Sequence, residues 1–80
     1  MAKKIVIYTT PYCPYCRAAK EFLNSKKVIY EEIDVEGDDT ARERLSKLSG
    51  QRTVPQIFAD EKSIGGYEDL VRFYRQGQSL

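Results

Sequence analysis

Apolar and polar positions along this chain switch between a period of two and a period near 3.6. Residues 3–9 carry the run Ile5-Val6-Ile7-Tyr8-Thr9, rich in β-branched side chains, which reads as a buried strand. Thr10-Pro11-Tyr12 breaks it. From Pro14 to about Lys26 the apolar positions Tyr15, Ala18, Ala19, Phe22 and Leu23 fall at helical spacing, with charged residues opposite. Proline is favoured at the first helical position, where its missing N–H costs nothing, so Cys13 is placed at the N-cap. Residues 28–34 read as a second strand, and one intervening helix fits a right-handed βαβ unit.

Glu36-Gly37-Asp38 forms a turn, after which Asp38, Asp39 and Thr40 compete to cap the next helix. Thr40 with Glu43 would form a capping box. Ala41, Leu45 and Leu48 give that helix a narrow apolar stripe, and Gly50 ends it. Pro55 precedes a short strand over residues 56–59, and Asp60-Glu61 reads as a hairpin turn into residues 62–64. Gly65-Gly66 opens a last helix over residues 67–76, with Tyr67, Leu70, Val71 and Tyr74 on its inner face and Gly77 as its stop. The predicted order is β-α-β-α-β-β-α, an α/β chain without repeats or linkers.

Eighty residues suffice for one domain, spanning 1–80. Thirteen basic and twelve acidic side chains nearly cancel, so net charge gives no reason to expect nucleic-acid or membrane partners. The apolar run at residues 5–8 is too short for a signal-peptide core or a membrane span. The last residues match no lipidation or retention signal. A cytoplasmic protein is therefore expected.

The inventory narrows the chemistry further. There are two cysteines, Cys13 and Cys16, and no histidine. That excludes Ser-His and Cys-His dyads and Cys2His2 zinc sites. Cys13-Pro14-Tyr15-Cys16 opens a helix inside a βαβ unit, the setting of a thioredoxin-like redox pair. Unpaired N–H groups and the positive end of the helix dipole stabilise an anion at the N-cap. Arg17 and Lys20 lie near enough in sequence to add positive potential. Cys16, one turn further in, is shielded and suits a resolving thiol. A purely structural disulfide would close too short a loop to remove much unfolded-state entropy. Two thiolates supply only half a zinc shell. A cluster of iron and sulfur shared between two chains, completed by external thiols, is the more serious rival.

Three segments together resemble the dithiol glutaredoxins: Tyr12-Cys13-Pro14-Tyr15-Cys16, Arg52-Thr53-Val54-Pro55 and Ile64-Gly65-Gly66-Tyr67-Glu68-Asp69. Order and spacing match, over essentially the whole chain. The resemblance implies a thioredoxin fold, a four-stranded mixed sheet flanked by three helices, with Pro55 cis and facing the cysteines. It implies an enzyme: a glutathione-dependent disulfide oxidoreductase acting on glutathionylated proteins and mixed disulfides through Cys13, and on protein disulfides through Cys13 and Cys16. Glutathione is then co-substrate, with no tightly bound cofactor or metal, and the protein is expected to be a monomer.

Carried over position by position, the cysteine of glutathione would bond to Cys13 and pair with the backbone of Val54, between Thr53 and Pro55. Its γ-glutamyl carboxylate would sit at the start of the last helix, near Gly66 and Tyr67, with the ammonium on Asp69 or Glu68. Arg52 with Gln51 would take the glycine carboxylate, and Tyr15 would flank the tripeptide. Many relatives carry a lysine a few residues before the first cysteine, where this chain has Thr10-Pro11-Tyr12. Two other readings stay open. One is a redoxin fed by thioredoxin reductase. The other is a cluster carrier, which Pro14 disfavours, since the relatives that hold clusters most readily lack it.

Overall fold

The β-branched segments become the centre of a mixed four-stranded sheet. The computed structural model describes residues 4–50, 53–60 and 62–78. In chain order its elements are β1 (Ile5–Thr9), α1 (Pro14–Ser25), β2 (Tyr30–Asp34), α2 (Asp39–Ser49), β3 (Gln56–Ala59), β4 (Lys62–Gly65) and α3 (Tyr67–Arg75). The strands lie in the order β2-β1-β3-β4; β1 is parallel to β2 and antiparallel to β3, and β4 is antiparallel to β3. Alternation along the strands divides the apolar side chains between two faces. Ile5, Ile7 and Ile57 pack with Ala19 and Leu23 of α1 and Leu70 of α3. Tyr8, Phe58 and Val35 pack with Leu45 of α2 on the other face. Each fully buried aliphatic side chain contributes roughly 1.5–3 kcal/mol relative to exposure.

Three local details differ from the pattern read in the sequence. The second strand starts at Tyr30, not at residue 28, because Lys27 adopts a left-handed φ of 58° and the Val28 N–H turns back to the Leu23 carbonyl at 3.0 Å. Val28 still reaches the core, while Ile29 is 91% exposed. At α2, Asp38 wins the competition for the cap, its carboxylate accepting the Ala41 N–H at 3.0 Å. Thr40 therefore falls inside the first turn, and the expected Thr40–Glu43 box is replaced by a shorter-reaching aspartate cap. The last helix stops at Arg75, one residue short of the expected Gln76. No described helix is long and apolar enough to cross a membrane.

The register explains where chemistry can gather. Tyr8 stands opposite Gln56, so the outgoing end of β1 lies beside the incoming end of β3. The loop that carries Cys13 leaves β1 at this end, the Val54-Pro55 step enters β3 here, and β4 hands over to α3 through Gly65-Gly66. Two helix N-termini and one strand entrance meet on a single edge of the molecule.

Candidate active site

Cys13 is the N-cap of α1, with extended φ and ψ of −93° and 113° and Pro14 in the first turn. Its sulfur accepts the Cys16 N–H at 3.1 Å, one of the donors that a helix leaves unpaired at its start. The Cys13 thiol in turn points at the Val54 carbonyl, 3.8 Å away, and the Val54–Pro55 peptide is cis. Cys13 is partly exposed and Cys16 is buried, and both are free thiols. Burial, reinforced by the hydrogen bond with Cys13, pushes the Cys16 thiol up to about 12; the Thr10 backbone and the Lys20 ammonium pull the other way. The two sulfurs are thus placed unequally: one at the surface beside a helix terminus, the other desolvated behind it.

Beside Cys13 runs a groove of about 350 Å³. Tyr15 and Tyr67 line it, their ring centroids 6.3 Å apart. Thr53, Val54 and Pro55 supply the segment next to the cysteine, and Gly66, Glu68 and Asp69 the start of α3. The structure therefore brings together every described residue that the sequence reading assigned to this groove. Gln51 and Arg52, expected at the glycine end, lie outside the described residues. Larger clefts of about 810 and 580 Å³ lie between β4 and α3 and against the α2 face of the sheet. The smaller groove is singled out by Val54, which lines it and faces the Cys13 thiol, and not by size.

The α3 end of the groove is built by glycine and aspartate. Asp69 reaches back so that its Oδ2 accepts the Gly66 N–H at 3.1 Å, while Oδ1 accepts from Arg72 at 3.3 Å. Gly65 has a φ of 114°, a region that side chains avoid, and a Cβ there would collide with the Asp69 carboxylate. The Asp69 carboxylate is thereby fixed at the helix terminus with both oxygens oriented.

The two cations expected near the cysteines differ in placement. Arg17 is exposed on α1. Lys20 is drawn to β2, where its Nζ lies 2.9 Å from Glu32 Oε2, and the Thr9 hydroxyl donates to the same oxygen at 2.7 Å. The sulfur on which Lys20 acts is that of Cys16. The sequence reading did not single out Thr9, Glu32 or Gln56. Gln56 lines the groove and is buried, donating to the Thr53 hydroxyl at 3.2 Å. A polar side chain in the otherwise apolar strand Gln56-Ile57-Phe58-Ala59 was its available signal. Among the described residues, no group of three or more acidic, cysteine or histidine side chains is gathered as a metal ion would need.

Comparison with known proteins bears on this geometry. A family model described as Glutaredoxin matches residues 5–64. Glutaredoxin 3 of Escherichia coli K12 is 45% identical over 73 residues, covering 91% of this chain and 88% of that protein. A glutaredoxin of Neisseria meningitidis is 43% identical over 74 residues, covering 91% and 87%. Among solved structures, the crystal structure of a buckwheat glutaredoxin–glutathione complex superposes with a TM-score of 0.85 at 29% identity, covering 95% of this chain and 72% of that one. The solution structure of a glutaredoxin from Brucella melitensis gives 0.79 at 38% identity, covering 92% and 80%.

Proposed function

The chain belongs to the glutaredoxin family of glutathione-dependent thiol–disulfide oxidoreductases, and from that premise we propose how its cysteines and groove share the reaction. The observation that carries the proposal is the position of the Cys13 sulfur: at the N-cap of α1, under the Cys16 N–H, and facing the Val54 carbonyl at the mouth of the groove. The Cys13 thiolate attacks the glutathionyl sulfur of a glutathionylated protein or a small mixed disulfide. A bond forms between the two sulfurs, the old disulfide breaks, and the departing thiolate takes a proton from water. A second glutathione thiolate then attacks the glutathionyl sulfur, leaving as oxidised glutathione and returning Cys13. On a protein disulfide, Cys13 forms the mixed disulfide, and Cys16 attacks the Cys13 sulfur to release the target thiol. The reaction needs no metal or tightly bound cofactor, and the chain is taken to work as a cytoplasmic monomer.

In the groove, the backbone of Val54, flanked by Thr53 and Pro55, pairs with the cysteine of glutathione as an added strand would. The γ-glutamyl carboxylate sits at the N-terminus of α3, near Gly66 and Tyr67, where a helix start is suited to an anion. Asp69 or Glu68 receives the ammonium, and Arg52 with Gln51 the glycine carboxylate. Tyr15 covers one side. The buckwheat complex supports glutathione as the ligand. The test is to add oxidised glutathione to the reduced protein and follow the intact mass and the modified peptide. A single glutathionyl group on Cys13 in the Cys16→Ser protein is the expected result; no adduct, or an adduct on Cys16 in the parent protein, would overturn the assignment.

A further inference from the structure

Lys20 sits one helical turn beyond Cys16 on the same face of α1, the spacing at which two side chains become neighbours. Its ammonium is held by Glu32 Oε2 at 2.9 Å, and that same oxygen is held by the Thr9 hydroxyl at 2.7 Å. Thr9 is 1% exposed and ends β1, so the anchor is rigid. The Lys20 and Glu32 side chains are 31% and 39% exposed, which shields the pair from water only in part. The three residues tie α1 to β1 and β2, and none of them lines the groove.

Resting on the reading of Cys16 as the resolving thiol, we propose that Lys20, held in place by Glu32 and Thr9, is a positioning residue that governs how readily Cys16 attacks. The dithiol step is then tuned by a cluster that the glutathione groove does not contain. A desolvated thiol has to ionise before it displaces a partner, and a nearby ammonium favours that ion. In the reduced protein Cys13 opposes the ionisation of Cys16 and Lys20 favours it. Once Cys13 is in the mixed disulfide it carries no charge, and the Lys20 ammonium remains. The hydrogen bond to Glu32 is the main cause that keeps the Lys20 ammonium charged. Glu32 itself is held ionised by the Thr9 and Lys20 hydrogen bonds. Its carboxylate thus does two opposed things: it fixes the ammonium in place and partly cancels its field at Cys16.

A neutral chromogenic disulfide, 4,4′-dithiodipyridine, added at one equivalent to the reduced protein separates the two sulfurs in one stopped-flow trace. Attack by Cys13 forms a mixed disulfide and releases the first thiopyridone. Attack by Cys16 on the Cys13 sulfur forms the Cys13–Cys16 disulfide and releases the second, the two cysteine protons ending on the two thiopyridones. The readout is the ratio of the second rate to the first, against pH. Lys20→Met should lower the ratio at neutral pH, roughly threefold for each pH unit that the second phase moves upward. Glu32→Gln keeps hydrogen-bonding atoms but removes the negative charge, so it should raise the ratio and move the second phase downward. Lys20→Arg should restore the parent ratio. A merely structural role would shift the two charge-removing variants in the same direction, and that outcome, like an unmoved ratio in Lys20→Met, overturns the proposal. Thermal melts of each variant separate loosening of the fold from loss of charge. Absence of the first phase in the parent protein would instead refute the assignment of Cys13.

Discussion

The backbone N–H of Cys16 donates to the Cys13 sulfur at 3.1 Å, while Cys16 itself is only 1% exposed. One residue therefore serves twice. Its amide holds the surface sulfur at the helix cap, and its side chain waits behind in a dry position. Removing the Cys16 side chain leaves the amide where it is.

Cys13→Ser should consequently abolish turnover on every disulfide. Cys16→Ser should keep most of the release of glutathione from a glutathionylated protein, while losing at least tenfold, about 1.4 kcal/mol, on an intramolecular protein disulfide. Steady-state rates on the two substrate types check this. Equal losses on both in Cys16→Ser would remove the division of roles.

Burial pushes the Cys16 thiol from its ordinary 9.0 to about 12, with consequences for pH. The folded chain keeps this proton across a range in which the unfolded chain has lost it, so stability falls as pH rises from about 9 towards 12. Below about 9 the contribution is fully present. In chemical denaturation of the reduced protein, the parent should lose stability over this alkaline window more steeply than Cys16→Ser, which has no thiol to ionise. Near neutral pH, iodoacetamide should modify Cys13 and spare Cys16 until the chain unfolds. Parallel alkaline slopes in the two proteins would show that desolvation of this sulfur is not what the fold imposes.

Much of the architecture could be read from local pattern, because strands and helices here agree with their residues. Ile5-Val6-Ile7 and Gln56-Ile57-Phe58 are rich in residues that suit a pleated surface, and Ala19 and Leu23 recur on one helical face. The N-cap position of Cys13 was legible from Pro14 alone. What sequence could not supply is contact across the sheet. Lys20 meets Glu32 only because β2 lies parallel to β1, and Thr9 joins them only because β1 ends beside them. The choice of Asp38 over Thr40 as the α2 cap depends on where the turn after β2 ends, which three neighbouring cap-formers leave undecided. The groove segments were found through their combined resemblance, since Gly65-Gly66 or Glu68-Asp69 alone reads equally well as a turn and a helix start.

Gly65 makes a test of the groove's geometry that touches no charge. Its φ of 114° is costly for any residue with a Cβ, and that Cβ would also meet the Asp69 carboxylate. Gly65→Ala should lower stability by about 1–3 kcal/mol. It should raise the KM for glutathione as well, because Asp69 has to move from the start of α3. Gly77, whose φ of 83° comes with open space around it, offers the control: Gly77→Ala should cost stability through backbone strain alone and leave the KM unchanged. An unaltered KM in Gly65→Ala, at a temperature where the variant is folded, would place the Asp69 carboxylate outside the recognition surface.

Asp69 carries two functions that different substitutions pull apart. Its carboxylate caps α3 through the Gly66 N–H, and in the proposed complex it also faces the γ-glutamyl ammonium. Asp69→Asn retains an oxygen for the Gly66 N–H and loses only the charge. Asp69→Ala loses both, so it should show an added stability cost of about 1 kcal/mol from the missing cap. A charge-assisted hydrogen bond contributes about 1.5–3 kcal/mol when shielded, which is roughly a tenfold to hundredfold rise in the glutathione constant. With 49% of the Asp69 side chain exposed, the lower end of that range is expected. Glu68→Gln removes the other candidate charge, and the larger of the two effects identifies the residue that holds the ammonium. Arg52→Ala should weaken the opposite, glycine end by a comparable factor and make the use of glutathione less sensitive to salt than in the parent protein. A neutral disulfide has no charged ends for these side chains to hold, so the single-turnover reaction of Cys13 with 4,4′-dithiodipyridine serves as the internal reference. Loss on glutathione with that reference intact is recognition. Equal loss on both substrates is a disturbed helix or a disturbed cysteine, and no loss on either means that the tripeptide is held by backbone and tyrosine contacts without its charged ends.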